Sequence, residues 1–99
     1  MFVLELVYTA ELERIDEAMA RHRRWLCGQV EAGVFLAAGR KVPREGGVIL
    51  AAGEDRAAIE ALVATDPFVR EGLTEYRITQ FAATVTAPAL DGHRERPPV

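Results

Sequence analysis

The side chain in this sequence best suited to acid–base chemistry is His22, because imidazole titrates near neutral pH. It lies in the stretch MARHRRWL (residues 19–26), where Ile15, Met19, His22 and Leu26 follow a 4-3-4 spacing. At a helical period these positions share one face, and a face of Ile, Met and Leu is expected to be buried. An ionisable ring inside such a stripe has two readings. Either it is a hydrogen-bonded packing residue, or it is a base held beside a reacting group. A dependable base needs one ring nitrogen oriented by a carboxylate or carbonyl, so the second reading requires a partner.

Asp66 is the best carboxylate candidate. In Thr65-Asp66-Pro67 it sits where an N-cap belongs, with proline at the first helical position, and capping alone accounts for it. The two roles are compatible, since one carboxylate oxygen caps while the other faces a histidine. Cys27 is five residues from His22, well round the helix, which argues against a Cys–His nucleophile pair and for a partly buried structural thiol. His93 falls in the tail without a partner pattern, and two histidines and one cysteine so dispersed do not make a metal site. Arg21, Arg23 and Arg24 read as a solvated helix face interleaved with acids, and they could line the way in for an anionic substrate. The chain has neither GxxxxGK nor a GxGxxG after a strand, so no nucleotide cofactor is expected, and the chemistry envisaged requires no metal or redox cofactor.

These residues need elements to hold them. FVLELVY (2–8) reads as a strand. A helix is expected from about Leu12 to Ala32, with Leu12, Ile15, Met19, His22, Leu26 and Val30 inward and Gly33 as its stop. VFLAA (34–38) and GVILAA (47–52) are the next two strands, joined by GRKVPREGG as a hairpin with a long, mobile loop. Asp55 caps a second helix that carries Ile59, Leu62 and Val63 inward. TDPFVREG (65–72) is a short turn of helix ended by Gly72, and EYRITQFA (75–82) is the fourth strand. From Thr84 onward, proline and charge give a poorly ordered tail, leaving a single domain over residues 1–83.

The order is β-α-β-β-α-β. Right-handed crossovers place both helices on one face of a four-stranded antiparallel sheet, an α+β, ferredoxin-like arrangement. The other face then carries Val3, Val7 and one side of the third strand, and such a patch is expected to pack against a second copy as a twofold dimer. A net charge of −3 speaks against nucleic acid as a partner, and no apolar run reaches the ~20 residues that span a bilayer. Without a signal-peptide pattern, and with one cysteine, the chain reads as a soluble cytoplasmic domain.

Taken together, the FVLELVYTA strand, a first helix bearing His22 ahead of EAG (31–33), the hairpin AAGRKVPREGGVILA (37–51) and DPF (66–68) before EYRITQF resemble the YCII-like family. The resemblance extends to about Ala83. It implies a ferredoxin-like domain that pairs into a dimeric α+β barrel, with a histidine–aspartate pair falling on His22 and Asp66, followed by the matching Pro67 and Phe68. One relative in the wider group eliminates chloride from a chlorinated hydroxylated aromatic. Family members often carry serine before, and proline after, the glycine ending the second strand. Here Ala38 and Arg40 flank Gly39, so that hydroxyl is missing and Arg40 brings a positive charge to the mouth of the site.

Two functions follow as expectations. In the first, a small organic molecule binds between sheet and first helix, walled by Tyr8, Gly39, Arg40 and Phe68. Asp66 fixes the tautomer of His22, which moves a proton in an elimination, isomerisation or similar lyase step. In the second, the domain is a non-catalytic dimeric binding or accessory module, and His22–Asp66 is a structural hydrogen bond.

Overall fold

The register of the whole sheet is set by β1 (Phe2–Tyr8), whose alternate residues Phe2, Leu4 and Leu6 are buried while Val7 faces outward. The computed structural model describes residues 1–97. In it β1 pairs antiparallel on one side with β3 (Gly46–Ala51) and on the other with β4 (Thr74–Gln80). Leu4 stands between Ile49 and Ile78, and Leu6 between Gly47 and Tyr76. β2 (Phe35–Arg40) pairs with the outer edge of β3, which gives the strand order β2-β3-β1-β4. This is the expected ferredoxin-like antiparallel sheet.

Three α-helices accompany the sheet among the described residues: α1 (Leu12–Glu31), α2 (Arg56–Val63) and α3 (Pro67–Arg70). Asp55 caps α2 by accepting from the Ala58 amide, and Asp66 caps α3 by accepting from the Phe68 amide. After α3, Gly72 takes φ +70°, a left-handed conformation that lets the chain reverse directly into β4. Ile15 and Ala18 of α1 and Ile59 and Val63 of α2 share one core with Phe2, Leu4, Leu6 and Ile49, so the helices cover a single face of the sheet.

The buried stripe of α1 is turned from the expected line. Ile15, Ala18 and His22 are buried, whereas Leu12 and Val30 are 47% and 46% exposed. At 100° per residue, His22 and Ala18 lie about 20° and 60° to one side of Ile15, while Leu12 and Val30 lie about 60° to the other. The core meets the first flank and leaves the second free. Cys27, expected to be partly buried, lies still further round that free flank and is exposed.

The hairpin loop is shorter and better anchored than expected. β2 runs on to Arg40 and β3 starts at Gly46; between them Lys41 pairs with Glu5, and Arg44 pairs with Asp16 of α1. The Tyr8 amide also donates to the carbonyl of Glu45. Beyond β4, where proline and charge suggested a poorly ordered tail, the chain forms a 3-10 turn over Pro88–His93. Glu95 then returns to the ammonium of Met1 at 2.5 Å. Met1 is buried, and its partly buried ammonium also donates to the carbonyl of Phe81.

The uncovered face of the sheet carries Val3, Val7, Val48 and Leu50, with Glu5, Glu75 and Arg77 among them. No helix among the described residues is long and apolar enough to cross a membrane.

Candidate active site

His22 reaches its partner because α1 is fastened to the segment around α3 by three polar links within five residues. Arg21 forms a forked ion pair with both carboxylate oxygens of Glu71, at 2.9 and 2.8 Å. Trp25 donates its indole N–H to Thr65 Oγ1 at 2.9 Å. Between these, His22 Nδ1 and Asp66 Oδ1 lie 2.7 Å apart. The tie of Arg21 to Glu71 differs from the simple solvated face the sequence suggested.

Asp66 is completely buried and surrounded by donors. Its Oδ1 accepts from the Phe68 amide at 2.9 Å, and its Oδ2 accepts from the hydroxyl of Tyr76 at 2.5 Å. A carboxylate so placed acts as an acceptor, so the nitrogen of His22 that faces it carries the proton. In the neutral ring Nε2 then keeps its lone pair, and it has no hydrogen-bond partner among the described residues. Tyr76 is locked in the donor role as well: burial, followed by the charge of Asp66, pushes its phenol far above the usual tyrosine range.

Aromatic packing fixes the imidazole plane. Phe68 stacks flush on it, with ring centroids 3.9 Å apart and planes within 5°. Trp25 covers it more loosely at 6.0 Å, and Tyr8 meets Phe68 edge-on at 6.1 Å. Only 7% of His22 remains exposed, and that part opens into a cavity of about 670 Å³.

The cavity lies between the free flank of α1 and the β2–β3 half of the sheet, and small residues create it. Ala38, Gly39, Gly46 and Gly47 form a floor almost without side chains, opposite Met19, Leu26 and Val30. Gly46 is required there, since a Cβ at that position would overlap the carbonyl oxygen of Leu6. Val30 is exposed for the same reason, since the small residues of the floor leave open space in front of it.

Of the residues singled out from the sequence, His22, Tyr8, Gly39, Arg40 and Phe68 all line this cavity. Asp66 does not line it and sits against Nδ1 of His22. His93 sits in the 3-10 turn, away from the cavity lining. The sequence reading missed Tyr76, Trp25 and Arg44. Tyr76 had a signal: strand alternation puts it inward beside Ile78, where a buried hydroxyl needs a partner. Among the described residues no group of three or more His, Cys, Asp or Glu side chains could hold a metal ion.

The sheet order, the helices on one face and the paired His22 and Asp66 define the class of protein, a ferredoxin-like α+β domain with a cavity on its helical side. The chain belongs to the YCII-related domain family, whose model matches residues 1–82. Its fold is similar to that of the 5-chloro-2-hydroxyhydroquinone dehydrochlorinase from Burkholderia phenoliruptrix AC1100, solved in complex with 2,5-dihydroxybenzoquinone. That similarity has a TM-score of 0.68 and 16% sequence identity, over 82% of this chain and 93% of the other. No curated protein matches the sequence.

Proposed function

We propose that this protein is a small proton-transfer enzyme in which His22 is the general base and Asp66 its orienting partner. The observation that carries this reading is that His22, with Nδ1 2.7 Å from the buried carboxylate of Asp66, lines a cavity. That cavity, at about 670 Å³, is within the range that takes small organic molecules. A ring held only by core side chains would have no need of such a space.

In the step envisaged, Nε2 of His22 takes a proton from a C–H or O–H of the substrate. The electron pair left behind forms a new double bond as a leaving group departs, or moves along the ring in an isomerisation. The imidazolium so formed is stabilised by Asp66 and later returns its proton to water. Positioned proton transfer of this kind contributes about 10²–10⁴-fold. The structural neighbour is a dehydrochlorinase of a chlorinated hydroxyhydroquinone, which makes elimination from hydroxylated rings the first chemistry to try.

The test is chloride release from 5-chloro-2-hydroxyhydroquinone, alongside turnover of a panel of hydroxylated aromatics and small lactones. Wild type is expected to turn over at least one compound, with His22→Ala and Asp66→Asn lowering the rate by about 10²-fold or more. Undiminished rates in both variants would end the proposal. The reading of the pair as purely structural draws support from the flush stack of His22 on Phe68. It foresees loss of stability in His22→Ala with no turnover by any form of the protein.

We also propose that the open sheet face, with Val7 and Val48 more than 40% exposed, pairs with a second copy, and that the protein acts in the cytoplasm. A monomeric mass at micromolar concentration would overturn the dimer.

A further inference from the structure

The charge of the cavity is opposite to that of the protein. The chain as a whole carries −3, yet among the described residues three arginines line the cavity, Arg23, Arg40 and Arg44, against a single carboxylate, Asp16. That carboxylate is already taken, because Arg44 pairs with it across the mouth, and the bond, with the nearby Tyr8 hydroxyl, holds the Arg44 guanidinium in its charged form. Arg23 and Arg40 have no ion-pair partner among the described residues. Two arginines with no paired acid among the described residues therefore line the same cavity as His22.

The positions of the two arginines follow from the fold. Arg23 is next to His22 in sequence and lies about 100° round α1, on the flank the core leaves free. Arg40 ends β2, where its inward register is set by Gly47 opposite it. They approach from opposite walls, helix and sheet, over a floor of glycine and alanine that offers no acid. Guanidinium groups in such a place prefer a planar anionic oxygen group, which they bind by charge-assisted hydrogen bonds. The remaining walls, Phe68, Met19 and Leu26 among them, are apolar and suit a ring.

We infer that the cavity selects a small ring-shaped organic anion, whose charged oxygen group is held by Arg23 and Arg40 while its reacting hydrogen faces Nε2 of His22. Only that last clause rests on the proton-transfer reading; the preference for an anion does not. The arrangement also suits the chemistry, because negative charge that develops as Nε2 takes the proton has cations lining the same cavity.

The experiment compares matched pairs of probes by ligand-observed and protein-observed NMR at low ionic strength: benzoate with benzamide, and 2-naphthoate with 2-naphthamide. At least one acid is expected to bind about ten-fold more tightly than its amide. Arg23→Gln and Arg40→Gln are each expected to remove most of that preference, while Arg96→Gln, an equal change in charge on the tail, leaves it intact. Both cavity arginines are exposed, so melting curves near wild type should accompany the loss. Equal affinity for acid and amide, no binding of either acid at millimolar concentration, or an unchanged preference in both cavity variants overturns the inference. His22→Ala keeps this reading separate from the proposed function. It should retain the anion preference while losing turnover, so failure of the base and failure of the anion site give different results.

Discussion

Truncating Asp66 and truncating His22 should have unequal consequences, although the two form one hydrogen bond. Asp66 is fully buried and accepts from His22 Nδ1, the Phe68 amide and the Tyr76 hydroxyl. In Asp66→Ala all three donors lose their partner at once, and α3 loses its cap. An orphaned buried donor costs about 1–3 kcal/mol, and the three are not additive, because the Tyr76 hydroxyl can rotate towards water. The loss should be about 3–5 kcal/mol, the sum of those orphaned donors less what the Tyr76 hydroxyl recovers from water. In His22→Ala, Asp66 keeps two of its three donors, and water entering from the cavity can replace the third. What goes is one charge-assisted bond, partly recovered, and the stack on Phe68, together about 1–2.5 kcal/mol. The gap of roughly 2 kcal/mol corresponds to about 8–16 °C in melting temperature for a domain of this size. Urea and thermal unfolding should be followed by circular dichroism at one protein concentration, since the fluorescence of Trp25 itself changes beside His22. If the two variants lose equal stability, or Asp66→Ala loses less than about 1 kcal/mol, the assignment of Asp66 as a three-way acceptor is wrong.

Tyr76→Phe should cost about 1 kcal/mol at neutral pH, as Asp66 loses one donor. It should also flatten the alkaline side of the stability profile. The folded-state pKa of Tyr76 lies above its unfolded value near 10, so its contribution is complete below pH 10 and falls as the unfolded chain alone ionises above it. The wild-type slope there should exceed that of the variant by up to about 1.4 kcal/mol per pH unit, as read from urea midpoints between pH 9 and 11. Gly46→Ala should destabilise by about 2 kcal/mol or more in denaturant unfolding, because its Cβ would collide with the backbone of β1. Gly39→Ala meets no atom within 4 Å and should stay within about 0.5 kcal/mol of wild type.

Much of the scaffold could be read from local chemistry. The alternation of Phe2, Leu4 and Leu6 marked β1, and Asp55 and Asp66-Pro67 marked two helix starts, because capping and side-chain alternation act within a few residues. The inward position of His22 was legible for the same reason. Periodicity defines a stripe, though not what covers it. Leu12 and Val30 fit the stripe of α1 but are about half exposed, and Val30 faces a cavity whose glycines come from β2 and β3. The pairing of Arg44 with Asp16 and of Met1 with Glu95 depends on long-range closure, which no local pattern records. The pairing of Asp66 with His22 spans 44 residues and entered through family resemblance, whereas its bond to Tyr76 spans ten and was open to inference from the inward face of β4.

The central claim is that Asp66 holds His22 as the Nδ1–H tautomer with Nε2 free as a base, and this can be measured without knowing the substrate. A long-range ¹H–¹⁵N correlation spectrum of the imidazole, recorded where the ring is neutral, distinguishes its two nitrogens. The account expects a protonated Nδ1 and a bare, pyridine-like Nε2 in the wild type. A spectrum in which Nε2 carries the proton would contradict it.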